Sequence, residues 1–349
     1  MMKSTEENLE LPCSIDEVDW FLSTPQAGAI ETVRALDGDI LVLGAGGKMG
    51  LHLCLLLKGI LSDLNKRNRL FAASRFSSLN SKSAYEENGI EVLAGDFRDS
   101  EFVESLPVCP TVFYLVGAKF GTSDNPELLQ QINVEVSAAI AKRFRDSKIV
   151  AFSTGCVYSY VTPESGGATE DSETNPIGEY ALSCLERERR FKEASNRFGT
   201  SVTLIRLNYS VEFRYGVLLD IGQRVLMGEA VDVTMGYVNV IWQNDALNQI
   251  VQALDIADSP AVPVNIAGPD TVAVRDLAER FGRCFSVAPQ FQGEEAETMW
   301  LSDASFSQRL FGYPSAKLDT MIAWVAAWLC KGGQTHGKPT GFEKRDGQF

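Results

Sequence analysis

Short apolar runs of strand length alternate with longer amphipathic stretches along most of this 349-residue chain. The runs are Ile40–Leu43, Leu70–Ser74, Ile90–Leu93, Val112–Val116, Ile149–Ser153 and Val202–Leu207. Between them lie helical patterns: KMGLHLCLLLKGIL at 48–61, then long ones across about 126–146 and 179–198. A run that is apolar on both of its faces suits a strand covered on both sides. Strands alternating with helices predict right-handed βαβ units and a parallel sheet. The expected fold class is α/β, a Rossmann-type doubly wound parallel sheet with a smaller C-terminal substrate lobe.

The regularity loosens after Leu207. Tyr237–Trp242 reads as a seventh sheet strand and 244–256 as the helix after it. Residues 1–37 hold two weaker helical patterns, at about 15–23 and 26–36, and read as an added N-terminal arm. The sheet domain is then 38–209 plus 237–260, and the smaller lobe 210–236 plus 261–330. The segment 331–349, rich in Gly and charge, reads as a partly flexible tail.

Composition narrows the function. The chain is 45% apolar and 22% charged, as in soluble globular proteins. The net charge of -14 argues against nucleic acid and anionic membranes, which reward clustered Lys and Arg. No apolar run approaches the ~18 residues of a membrane span. The acidic start, MMKSTEENLELPCSIDEVDWF, lacks the pattern of a secretion signal. Seven scattered cysteines without a C-x-x-C fit free thiols in a reducing compartment, so the expected location is cytoplasmic. With only two histidines, His52 and His336, neither a histidine metal site nor a Ser-His-Asp triad is expected. His52 lies among apolar helix residues and reads as a packing residue.

The stretch ILVLGAGGKMG sets Gly44, Gly47 and Gly50 three apart, between the first strand and the first long helix. One glycine allows the tight turn, one lets the backbone approach a pyrophosphate, and one lets helix and strand pack closely. The phosphates would meet the N–H groups around Lys48 and Met49 and the positive end of the helix dipole. Lys48 could add a phosphate contact, or be a solvated first-turn residue. The second strand ends in Ser74 and Arg75 with no acid. An acid there suits a free ribose 2′-hydroxyl and an arginine a 2′-phosphate, so the cofactor reads as NADP or NAD, leaning to NADP(H).

These motifs resemble the extended short-chain dehydrogenase/reductase superfamily, in its NAD-dependent epimerase/dehydratase group, over about residues 38–330. GDFRD at 95–99 resembles the acidic turn after the third strand, which implies that Asp96 and Phe97 approach the adenine. VFYLVGA at 112–118 resembles the fourth strand, whose end at Val116 and Gly117 runs beside the cofactor. FSTGCVY at 152–158 resembles the active-site turn and puts Thr154 at the catalytic Ser/Thr position. NPIGEYALSCLE resembles the segment of the catalytic tyrosine, here Tyr180. The resemblance also implies a homodimer packed through the helices near 126–146 and 179–198. Sugar-nucleotide members often carry an arginine just before the strand near 232–246. None is present, so a smaller sugar, sugar acid or other polyol is the expected substrate.

The other departure is Cys184, in the lysine position of Y-x-x-x-K. A lysine ammonium about 4 Å from the phenol would be worth roughly 4 kcal/mol at an effective dielectric near 20. That is roughly 3 units off a phenol pKa near 10. Without it, Tyr180 should stay protonated at neutral pH, able to donate to a carbonyl but a poor base toward an alcohol. A neutral thiol at Cys184 cannot replace the charge. Three readings stay open. Lys119 or the nicotinamide charge serves instead; a substrate group or Glu179 carries the proton; or the chain is a cofactor-binding sensor with little chemistry. The cluster ERERRFK at 186–192 reads as a solvated face with i,i+4 ion pairs, or a subunit contact. The expectation is hydride transfer at a secondary alcohol or ketone of a sugar-like substrate, as oxidation, reduction or epimerisation. Thr154 would hold the reacting oxygen and Tyr180 exchange its proton.

Overall fold

The computed structural model describes residues 11–77, 80–119 and 125–347. Six of the expected strands form as β1 (Ile40–Leu43), β2 (Leu70–Ser74), β3 (Glu91–Ala94), β4 (Thr111–Tyr114), β5 (Lys148–Thr154) and β6 (Val202–Leu207). With Val262–Ile266 at one edge they make a seven-stranded parallel sheet, ordered edge strand, β6, β5, β4, β1, β2, β3. The chain therefore winds outward in both directions from the β1–β4 pair. That reversal opens a crevice at the carboxyl ends of these two strands.

Alternation of side chains along β1 supplies both faces. Ile40 and Val42 join one core with Leu53, Leu57 and Ile60 of the following helix, Gly50–Asp63. Leu41 and Leu43 join the other with Ile140, Phe144 and Phe191. In a third core Phe213, Trp242, Phe281 and Val325 pack together. The N-terminal helices are Ile15–Phe21 and Ala27–Ala35. The first drives Phe21 into the third core, 5.4 Å from the Phe213 ring and 5.0 Å from that of Trp324. The second lays Ala29 and Val33 on the helix after β1.

The seventh strand is not where the sequence pattern puts it. The run YVNVIW is split at Asn239, whose side chain turns inward to donate to the Ser302 carbonyl at 2.6 Å. Tyr237–Val238 then pairs with Val272–Ala273, and Ile241–Trp242 with Ser210–Val211. The sheet position goes to VPVNI at 262–266, within the range assigned to the smaller lobe. Its Pro263 has no N–H to give a ladder, which an edge strand tolerates.

Two further expectations change. The helix from 126 runs to Arg143 but contains a π-helical turn at Gln130–Glu135. The segment 331–347, expected to be partly flexible, is tied down at several points. Trp328 Nε1 donates to Gln334 O at 3.1 Å, and the Thr340 N–H and hydroxyl donate to Asp220 Oδ2 at 2.7 and 2.6 Å. Tyr160 Oη donates to Arg345 O at 2.8 Å. No helix among the described residues is long and apolar enough to cross a membrane.

The helix Gly178–Phe198 does not carry a wholly solvated charge cluster. Arg187 is 6% exposed and Glu188 1%. Glu188 accepts from Arg206 Nε at 3.0 Å and Nη2 at 2.9 Å, and from Ser153 Oγ at 2.6 Å. Burial raises the Glu188 pKa, but Arg206, Lys192 and Ser153 more than offset this and hold it below the ordinary value. Ser153 adjoins Thr154, so this pair also anchors the end of β5. Glu188→Gln would leave the Arg206 charge buried and poorly paired, costing about 3–5 kcal/mol; urea unfolding at pH 7 measures it. A folded-state pKa below the unfolded one means the contribution is present above about pH 4.3 and disappears as pH falls through the depressed value. The gap between wild type and variant should therefore narrow in acid, and a constant gap would dismiss the ion pair as its source.

Candidate active site

Two adjoining cavities occupy the crevice. The first, about 410 Å³, runs from the glycine loop past Ser74, Arg75, Asp96 and Phe97 to Val116 and Gly117. The second, about 340 Å³, is lined by Gly44, Gly47, Lys48, Met49, Gly50, Thr154 and Tyr180. Gly44, Gly47, Leu115 and Lys119 belong to both, so the two form one elongated site. Of the catalytic and cofactor residues singled out from sequence, Cys184 and Glu179 lie off it and the rest line it.

The glycines separate by physical role. Gly44 has φ +81°, and a Cβ there would stand 2.7 Å from the backbone of Leu115 and Val116. Glycine is thus required for the loop to pass β4. Gly50 could not carry a Cβ without striking the Ala45 carbonyl. At Gly47 the nearest atom to an added Cβ is the Gly44 carbonyl oxygen at 3.4 Å, so the protein would accept the atom. What glycine keeps clear there is the cavity, at the amino end of a helix, where a diphosphate finds N–H donors. These residues fit a dinucleotide.

Asp96 stands in the first cavity with its carboxylate on Arg98, whose Nη2 donates at 2.6 Å and whose backbone N–H donates at 3.0 Å. Arg98, aided by Arg75, brings its pKa to about 2. Arg75 lines this end too, and no acid from the end of β2 accompanies it.

In the second cavity, Thr154 Oγ1 accepts from the Cys156 N–H at 3.2 Å. Its own hydroxyl hydrogen is left to point at a substrate oxygen. Tyr180 packs against Val157, Tyr158 and Cys184. Burial first, then Cys184 and Cys156, push its pKa well above the ordinary value, while Arg187 pulls the other way. Lys119 Nζ sits 5.5 Å from the centre of the Tyr180 ring. Burial lowers the pKa of this lysine. The loop carrying it is held by Asn133, which sits in the π-helical turn. Asn133 accepts from the Ala118 N–H at 2.8 Å and donates to the Ala118 carbonyl at 3.0 Å. Its amide also donates to Ser183 Oγ on the tyrosine helix at 2.8 Å. A π turn inserted in a helix often marks such a functional position.

Cys184 lies behind Tyr180, 0% exposed and outside both cavities. The volume a longer side chain would need is taken by Arg187. Its Nη2 donates to Cys184 Sγ at 3.3 Å and its Nη1 to the Val116 carbonyl at 3.2 Å. A Cβ on Gly117 would come within 2.7 Å of the same guanidinium, which accounts for that glycine. Arg187 was hidden in the sequence because most of its neighbours in ERERRFK are also charged. Its position seven residues after Tyr180, on the same helix face, was the available signal. Lys48 is not solvated. Burial brings its pKa to about 8, and its Nζ lies over the Tyr215 ring at 4.2 Å. Thr340 and Phe342, from the C-terminal segment, and Trp300 complete the wall. Nothing in their local sequence announces this. His52 lies outside the site, with Asp19 Oδ1 2.8 Å from Nε2 and the Gln243 amide 2.7 Å from Nδ1.

Residues 40–212 match the sequence profile of the NAD dependent epimerase/dehydratase family. No curated protein matches the chain in sequence. The fold is shared by the UDP-glucose 4-epimerase of Thermotoga maritima, solved with UDP-glucose. The TM-score is 0.69 at 18% identity, over 84% of this chain and 99% of that one. The UDP-glucose 4-epimerase of Thermus thermophilus, in complex with NAD, superposes with a TM-score of 0.68 at 18% identity, over 83% and 98%. The UDP-glucuronic acid 4-epimerase of Bacillus cereus, also with NAD, gives 0.69 at 16% identity, over 84% and 99%. At such identities the likeness is one of fold.

Arg187 changes what restoring the lysine would do. Cys184→Lys alone puts a second cation against a buried guanidinium and should cost about 3 kcal/mol of stability. Cys184→Lys with Arg187→Leu removes that conflict. The double variant should be more stable than the single one and titrate Tyr180 at lower pH than wild type in ultraviolet difference spectra. A single variant as stable as wild type would mean that Arg187 does not occupy the lysine's place.

Proposed function

We propose that this protein is an NAD(P)-dependent oxidoreductase or epimerase acting at a secondary alcohol or ketone of a sugar or sugar acid. The observation that carries this is the convergence of Thr154, Tyr180 and Lys119 on a cavity continuous with a dinucleotide-shaped cleft. Gly44, Gly47, Met49 and Gly50 would take the diphosphate of the cofactor, and Ser74, Arg75, Asp96 and Phe97 its adenosine end. Val116 and Gly117 would flank the stretch between. A nicotinamide held there would supply hydride chemistry at the substrate carbon. The family is an NAD one. Arg75, with no acid at the end of β2, supports the finer reading that a 2′-phosphate is accepted as well.

The proton chemistry belongs to the chain. Tyr180, held protonated, donates to a carbonyl oxygen, and the Thr154 hydroxyl donates to the same atom. The phenolate left on Tyr180 faces the Lys119 ammonium, which takes over the duty of the missing lysine from the opposite side of the ring. Reduction is therefore the easier direction. Oxidation needs the phenolate first, and burial opposes it. A second reading, a cofactor-binding sensor, draws on this same observation. We further propose a cytoplasmic homodimer joined through the helices 126–143 and 178–198. The residues 210–240 and 267–330 would act as its substrate lobe.

The deciding experiment offers NADH, NADPH, NAD and NADP with a panel of ketoses, aldonates and free sugars, and reads nicotinamide absorbance. Turnover supports the enzyme; tight cofactor binding without turnover supports the sensor. Tyr180→Phe should lower turnover by about 10²–10⁴-fold, as expected for loss of a general acid, with cofactor affinity nearly unchanged. Lys119→Met should lower oxidation more than reduction and raise the pH at which oxidation sets in. Undiminished turnover in Tyr180→Phe would remove the tyrosine from the reaction. Arg75→Ala should weaken NADPH by roughly tenfold or more and leave NADH unaffected, as loss of a charge-assisted contact implies; calorimetry reads both.

A further inference from the structure

The second cavity holds polar groups that neither the hydride chemistry nor the fold uses. Lys48 Nζ has one hydrogen bond, to the Ser210 carbonyl at 3.3 Å, and no carboxylate within ion-pairing distance among the described residues. An ammonium can donate three. Ser210 Oγ and Tyr209 Oη are buried and have no hydrogen-bond partner among the described residues. All three side chains line the cavity that contains Thr154 and Tyr180, and no Asp or Glu lines it. Buried hydroxyls without partners cost roughly 1–3 kcal/mol each, so a cluster of this kind is expensive unless a ligand completes it. Tyr209 also holds the left-handed backbone region, φ 43°, a strain that tends to sit at ligand sites.

We propose that Lys48, Ser210 and Tyr209 form a pocket for an anionic oxygen group of the substrate, and that the substrate is a single-ring or open-chain sugar acid rather than a nucleotide-linked sugar. The inference rests on the reading of the cavity as a substrate site and names what that site takes. Lys48 supplies the charge, and the two hydroxyls donate to the remaining oxygens. Thr154 and Tyr180 then meet a hydroxyl-bearing carbon of the same molecule.

Size gives the second half of the argument. Ligand pockets for drug-sized molecules span about 300–1,000 Å³. At about 340 Å³, this one must take the nicotinamide end of the cofactor as well as the substrate. A nucleoside diphosphate attached to the sugar exceeds what remains. The C-terminal segment forms part of the wall: Thr340 is fastened to Asp220 by two hydrogen bonds, and Phe342 is buried beside it. This wall is covalently part of the chain.

Three probes separate the possibilities: gluconate, glucose 6-phosphate and neutral glucose. Each is titrated into the NAD-saturated protein, with calorimetry and tryptophan fluorescence as readouts, since Trp300 lines the cavity. An anion should bind at least about tenfold tighter than glucose, the scale of one charge-assisted contact. Preference for gluconate identifies a carboxylate, and preference for glucose 6-phosphate a phosphate ester. Lys48→Met should abolish the preference with NAD affinity within about twofold of wild type. Ser210→Ala, a milder change, should reduce it several-fold. Equal binding of glucose and both anions by wild type overturns the proposal without any variant. So does a Lys48→Met protein that keeps the preference but binds NAD at least tenfold more weakly, which would return Lys48 to the diphosphate. Tight UDP-glucose binding would overturn the size argument. Failure of wild type to bind NAD would sink the oxidoreductase reading instead, and the same three titrations on the cofactor-free protein would still decide the anion pocket.

Discussion

A guanidinium that cannot lose its proton is buried beneath the end of β4, and the chemistry of the site is arranged around it. Arg187 stays charged at any accessible pH, so burial commits the fold to giving it acceptors. It finds the Val116 carbonyl and the Cys184 sulfur. Both choices propagate. The first lets the cofactor-side loop pass only because residue 117 is glycine. The second explains why position 184 holds a small uncharged side chain: a lysine ammonium there would meet Arg187 at close range. Positive charge on this helix thus sits one turn beyond position 184 and off both cavities.

That placement leaves Tyr180 in an apolar setting. Desolvation and the two nearby thiols favour the protonated phenol, with Arg187 and Lys119 as the cations at hand. A phenol that keeps its proton suits donation to a developing alkoxide. Lys119 approaches from β4, fixed by Asn133 across a π turn, whereas a lysine four residues on would have come from the tyrosine's own helix. The two side chains therefore meet from separate elements. The Asn133–Ser183 hydrogen bond ties them directly.

The smaller lobe contributes shape. Its core buries Phe213, Phe281 and Val325; Phe21 of the first helix enters that core, and Asp19 of the same helix meets His52 of the helix after β1. On that footing the corner at Tyr209–Ser210 and the returning segment at Thr340–Phe342 narrow the cavity over Thr154 and Tyr180. The structural relatives with UDP-sugars share the architecture, while volume and polar lining are local properties that vary on a common frame.

Local pattern was enough for much of this. Apolar runs of strand length determined six sheet strands, because parallel strands covered on both faces are mostly apolar. The glycine spacing marked the cofactor loop, since only glycine meets its steric demands. Thr154 and Tyr180 stood out because their motifs are contiguous. The seventh strand was decided by tertiary structure: Asn239 spends its amide on Ser302, sixty-three residues away, and breaks an otherwise convincing run. Arg187 and Glu188 looked solvated among like neighbours, and only packing showed which of the charged side chains turn inward. Lys48, Tyr209 and Thr340 are remote in sequence and line the same cavity. Hydrophobic periodicity reports which face of an element is buried. It carries no information about which polar groups from distant segments will be left facing each other across a cavity.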